Sequence, residues 1–67
     1  SGLAGIAYWI NQTYGLEDDA KLEKRAPLVI AMKEWVDAQY EDGRQTAMTD
    51  HELEEKIAEL APELQKR

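Results

Sequence analysis

The chain has 67 residues, no cysteine, and 14 Asp and Glu against eight Lys and Arg, for a formal charge of −6. That length supports one domain at most, with a thin core, because only about 60% of the unfolded surface is buried at this size. Disulfides and thiolate metal sites are excluded, and the acidic balance argues against nucleic acid and anionic membranes, which need a basic face.

Small domains without disulfides or metals are often completed by a partner surface. The absence of cysteine does not fix the compartment, and fits a cytoplasmic location at least as well as a secreted one. The longest apolar stretch, Leu3 to Ile10, is interrupted by Gly5. It is far short of the roughly 20 residues that span a bilayer, and no basic segment precedes it as a signal peptide requires. The chain opens at Ser1-Gly2 without an initiator methionine. Such a start is expected of a fragment cut from a longer protein or of a tag remnant, and residues 1–67 are expected to form a single domain.

The first predicted helix covers about 3–14. Leu3, Ile6, Ala7, Ile10 and Tyr14 fall at i, i+3, i+4, i+7 and i+11, one stripe of an amphipathic helix. Gly15 follows where a left-handed cap is wanted, and Leu16 is placed to fold back as its hydrophobic contact. Residues 17–25 are charged and weakly periodic. They read as a linker in which only Leu22 is anchored.

The second predicted helix runs over about 27–41, with Pro27 at its first position, where a fixed φ and a missing donor do no harm. Leu28, Val29, Met32, Trp35, Val36, Gln39 and Tyr40 form its stripe, and Asp42-Gly43 ends it. Ile30 points away from that stripe. The third helix, about 50–61, has the clearest start. Thr49-Asp50-His51-Glu52 is a capping box, flanked by Met48 and Leu53 as a hydrophobic staple. Leu53, Ile57, Leu60, Ala61 and Leu64 make its stripe, and Pro62 ends or kinks it. Nothing alternates with period two, so the expected fold class is all-α, a compact three-helix module.

Reactive groups are few. Glu17-Asp18-Asp19 offers oxygen ligands, but consecutive carboxylates on a linker match no calcium loop and read as solvated acids. His51 is the only histidine, and no second histidine or cysteine joins it as a ligand or catalytic partner. Glu52 and Lys56 are spaced as an i,i+4 pair. Trp35 lies on the core stripe and reads as packing. Trp9 lies about 60° off the first stripe at 100° per residue, either a lid on the core or an interface anchor. A standalone enzyme is not expected, for want of a nucleophile, a base and a pocket.

The non-core face of the first helix carries Ser1, Gly5, Tyr8 and Gln12. Glycine inside a helix costs about 1 kcal/mol relative to alanine, and a close backbone approach is one reason to accept that cost. Tyr8 stands beside this gap, pointing away from the module's own core.

The run Ser1-Gly2-Leu3-Ala4-Gly5-Ile6-Ala7-Tyr8 resembles a segment of 2-isopropylmalate synthases, Ser-Gly-x-x-Gly-[Val/Ile]-Ala-Tyr, just after their metal-dependent barrel. A Gly-Leu pair follows the helix there, matched by Gly15-Leu16. Homocitrate synthases and Re-type citrate synthases are similar in this region. The resemblance is detailed over the first sixteen residues or so and continues beyond them only as layout. The acidic linker at 17–25 departs from the family pattern.

The resemblance implies an accessory subdomain of an acyltransferase that condenses acetyl-CoA with a 2-oxo acid on a divalent metal. That metal and its ligands belong to the barrel, with no cofactor on this segment. The partners implied are the protein's own catalytic barrel and a homodimer partner whose active site the helical region completes. The implied setting is amino-acid biosynthesis, which for 2-isopropylmalate synthases is leucine biosynthesis. Tyr8 matches a tyrosine that reaches towards that site in a supporting catalytic role. Ser1, Gly2, Gly5, Trp9 and Gln12 are the expected substrate-binding or interface residues. The alternative from a different class is a free-standing helical interaction module docking through the first helix and Ile30.

Overall fold

Three α-helices form where the apolar periodicity places them, at Leu3–Tyr14 (α1), Pro27–Glu41 (α2) and Asp50–Leu60 (α3). The computed structural model describes residues 2–66, the last two of these by backbone alone. Short 3-10 turns at Asp18–Ala20 and Pro62–Lys66 complete the order, and no strand occurs among the described residues. The core is Ala7, Ile10, Leu16, Val29, Met32 and Ile57, drawn from all three stripes and the α1 cap. Trp9, Trp35, Leu22, Leu53 and Leu64 pack around it. Burying each large apolar side chain contributes about 1.5–3 kcal/mol before entropy is subtracted.

The end of α1 is built as its Gly-Leu pair requires. Gly15 takes a left-handed conformation (φ 65°, ψ 35°) and its N–H donates to the Asn11 carbonyl. Leu16 N–H donates to the same carbonyl at 2.9 Å while its side chain enters the core. That six-to-one bond and its apolar contact make a Schellman motif.

Asn11 then does a second job. Its side chain is buried, with 5% of the residue exposed, and it clasps one backbone unit of the return segment. Nδ2 donates to the Leu22 carbonyl at 3.0 Å and Oδ1 accepts from the Leu22 N–H at 2.8 Å. The segment after Gly15 is consequently more than a linker tethered at Leu22. Leu16 is buried, Ala20 and Ala26 pack against the core, and Lys24 and Arg25 come back beside Gly2, Leu3 and Ala4. Asn11 and Ala4 are two helical turns apart on one side of α1, and the returning chain follows that side.

Pro27 starts α2 as its first residue, and Gly43 (φ 103°) follows its end. The Arg44 N–H then returns to the Gln39 carbonyl at 3.1 Å. Helix α3 packs against α2 in the opposite sense, with Trp35 beside Glu52, Lys56 and Glu59, and Leu28 and Ala31 beside Leu60 and Ala61. It ends at Leu60, one residue earlier than the spacing suggests, because Pro62 disfavours helical geometry at Ala61 (φ −142°, ψ 68°). Two stripe positions are less buried than their register implies, since Tyr40 is 43% and Leu60 39% exposed. Each lies within the last turn of its helix.

The capping box is present in full. Glu52 N–H donates to Thr49 Oγ1 at 3.2 Å, and Thr49 N–H donates to Glu52 Oε1 at 3.0 Å. Glu52 is taken further by Arg44, whose two terminal nitrogens reach both carboxylate oxygens at 2.6 and 2.7 Å. Arg44 also donates to the Thr46 and Ala47 carbonyls. This correction to the expected Glu52–Lys56 pair has a simple cause: a fork-to-fork contact outcompetes a single ammonium. Lys56 pairs instead with Glu59 at 2.9 Å, its ammonium 5.6 Å from the Trp35 ring centroid.

Two measurements follow from these closures. Asn11→Ala should lower the folding free energy by about 1–3 kcal/mol, because both polar groups of a half-buried Leu22 unit lose their partner. A urea midpoint equal to that of the parent chain would show that the clasp contributes nothing. The Arg44 fork and the Thr49 N–H pull the Glu52 carboxyl from its ordinary 4.5 down to about 2. A depressed folded-state value makes this contribution complete above about pH 4.5 and lost as the pH falls towards 2. Glu52→Gln should therefore lower the urea midpoint at pH 7 and flatten its decline across that acid window.

Candidate functional site

At 100° per residue, the register that sends Leu3, Ile6, Ala7 and Ile10 inward leaves Gly5, Tyr8 and Gln12 on the opposite side of α1. All three are exposed, as is Gly2, which caps the helix without a side-chain bond. Ser1, the remaining residue of that face, lies outside the described residues. Tyr8 is 66% exposed, and its hydroxyl makes no hydrogen bond among the described residues. An amphipathic phenol is thus held outward on a helix whose other face is locked into the core.

Trp9 is placed differently from its neighbours. It is half-buried over the core, its ring meets Tyr14 edge-on at 6.3 Å, and Nε1 donates to Asp50 Oδ1 at 3.2 Å. It thus packs as a lid on the core and ties α1 to the first residue of α3. The signal that would have found this contact is weak, since the two residues are far apart in the chain. Ile30, on α2, is 39% exposed and comes beside Gly2, Leu3 and Ala4.

The other reactive groups do not gather. His51 is exposed on α3, where its Nε2 lies 2.9 Å from Glu55, a surface pair when the imidazole is protonated. Glu17, Asp18 and Asp19 are all exposed on the return segment. Among the described residues no three His, Asp or Glu side chains form a group able to hold a metal ion. Nor is any described helix long and apolar enough to cross a membrane. What the site offers chemically is a free phenol donor beside an open strip of helix backbone at Gly5.

No family model and no solved structure matches the chain significantly. Two curated relatives do. A citrate (Re)-synthase of Syntrophus aciditrophicus is 45% identical over 64 residues, which is 96% of this chain and 10% of the relative. A citrate (Re)-synthase of Clostridium kluyveri is 41% identical over 64 residues, again 96% of this chain and 14% of the relative. The chain therefore spans only a small part of the length of the curated relatives it matches. At this identity over nearly its whole length, the chain is a homologue of a segment of these citrate (Re)-synthases, which are acyl-CoA-condensing synthases.

Proposed function

We propose that this module is an accessory helical subdomain of an acyl-CoA-condensing synthase, packing on that protein's own barrel and contributing Tyr8 to a subunit-spanning active site. The observation that carries the reading is a side chain out of place for a self-sufficient fold. Tyr8 is held outward, with its hydroxyl unpartnered among the described residues, on the segment that resembles the synthase motif. Gly5 precedes it by one helical turn on the same face, where a missing side chain lets another backbone come close.

The reaction joins the methyl carbon of an acetyl thioester to the carbonyl carbon of a 2-oxo acid, and hydrolysis of the thioester releases CoA. The barrel supplies the divalent metal and the groups that carry out these steps. This chain's part is to position the Tyr8 phenol as a hydrogen-bond donor at or beside the reacting carbonyl, and to shield that region from water. Gly2, Gly5 and Gln12 line the approach.

Among 2-oxo acids, the relatives favour oxaloacetate, whose condensation with an acetyl group gives citrate. This displaces the 2-isopropylmalate and homocitrate reactions as the first to test, and with them the link to leucine biosynthesis. The homodimer and a cytoplasmic location remain parts of the same proposal. The free-standing interaction module is the weaker reading, because its main support is the exposure of Ile30, which docking within a larger protein also explains.

The test compares Tyr8→Phe in two settings. In the 67-residue chain the change should move stability by less than about 0.5 kcal/mol, as surface substitutions usually do. In the full-length protein, assayed by CoA release with oxaloacetate, 2-oxoisovalerate and 2-oxoglutarate, kcat/KM should fall with the oligomer intact. Unfolding of the short chain would place Tyr8 in the core, and unchanged turnover with every acid would remove it from the site.

A further inference from the structure

We propose that the concave surface formed by Leu3, Ala4 and Ile30, bordered by Lys24 and Arg25, docks a carboxylate-rimmed apolar patch elsewhere in the synthase. This rests on the reading above and specifies the chemistry of the contact. Three observations lead to it.

The first is the pattern of charge pairing. Among the described residues, Lys33, Arg44 and Lys56 each lie within ion-pair distance of a carboxylate on this chain. Lys21, Lys24 and Arg25 do not, although Asp and Glu outnumber Lys and Arg by 14 to eight. Cations left unpaired in an acidic chain form a local positive rim, and such a rim selects a partner bearing carboxylates.

The second is what the rim encloses. Lys24 and Arg25 border a hollow floored by Gly2, Leu3, Ala4 and Ile30, where an exposed isoleucine from α2 meets the first turn of α1. An apolar centre with a charged border is the anatomy of a protein interface, and the shallowness of the hollow suits a macromolecular surface. The clasp between Asn11 and Leu22 holds the return segment against α1, so the rim is presented in a fixed position.

The third is the length of the relatives. This chain corresponds to 10% of one and 14% of the other, so in them most of the protein lies outside this segment. A second copy of the short chain is the competing occupant. Its acidic balance makes it a candidate, and the test separates the two.

Zero-length carbodiimide cross-linking joins amines only to carboxylates in contact with them. In the full-length protein it should link Lys24 or Lys21 to an Asp or Glu outside these 67 residues. Amide exchange at Ala4 and Ile30 should be slower there than in the isolated chain by on the order of tenfold. Lys24→Glu with Arg25→Glu should abolish both effects, while Lys24→Arg keeps the exchange protection.

Exchange that is equal in the two settings, with cross-links confined to the segment, overturns the proposal. So does concentration-dependent protection of the same amides in the isolated chain, which would assign the hollow to a second copy. The two readings fail separately. External cross-links with an inert Tyr8→Phe keep the docking surface and remove the role of Tyr8. A damaging Tyr8→Phe without cross-links or protection removes the docking surface alone.

Discussion

The fold depends most on one buried amide. Asn11 closes α1 with its backbone carbonyl, which accepts from Gly15 and Leu16, and holds the returning chain with its side chain at Leu22. A primary amide matches the backbone N–H and C=O of a single extended residue, so a polar residue is buried with its main groups satisfied. Without that match, the loop would have to leave α1 or bury unpaired backbone groups, at about 1–3 kcal/mol for each. Leu22, Ala26 and the opening of α2 are all positioned from this point.

The second fixed point is the approach to α3. Arg44 gathers the Thr46 and Ala47 carbonyls and the Glu52 carboxylate, while Glu52 and Thr49 close the first turn of the helix. One guanidinium thus holds the connector and the helix it leads to in a single arrangement. Trp9 reaches the same end of α3 through Asp50, so α1 and the α2–α3 connector meet there. With those ends secured, little of α1 needs its outer face for folding, and Gly5, Tyr8 and Gln12 stay exposed.

Legibility in the sequence followed the range of the interactions. The capping box, the Gly15–Leu16 stop and Pro27 are written within a few neighbouring residues, and the helix bounds follow from them. Tyr8 was placed by periodicity, which needs no tertiary information. The Asn11 clasp spans 11 positions and the Arg44 fork eight, and neither has a sequence signature of its own. An asparagine in the last turn of a helix resembles any polar residue, and Glu52 had a closer cation in Lys56. Trp9 was ambiguous because its partner, Asp50, lies 41 positions away. For the candidate site, helical periodicity placed Gly5, Tyr8 and Gln12 on the outer face of α1. The hollow beside Leu3 depends on the return segment doubling back, which no local pattern encodes.

That doubling back makes residues 17–19 a naturally extensible part of the molecule. Leu16 is sunk in the core, Ala20 packs against it and Leu22 is clasped, so the exposed acids between Leu16 and Ala20 are held at both ends. Asp18 already adopts a positive φ of 54°, a conformation that aspartate tolerates better than most residues. Extra residues here would enlarge a loop whose ends are pinned, and each doubling of loop length costs only about 0.6 kcal/mol. A chain lengthened at this bend should keep the same three helices. For an engineer, it is the place to insert a reporter or a cleavage site without moving Tyr8.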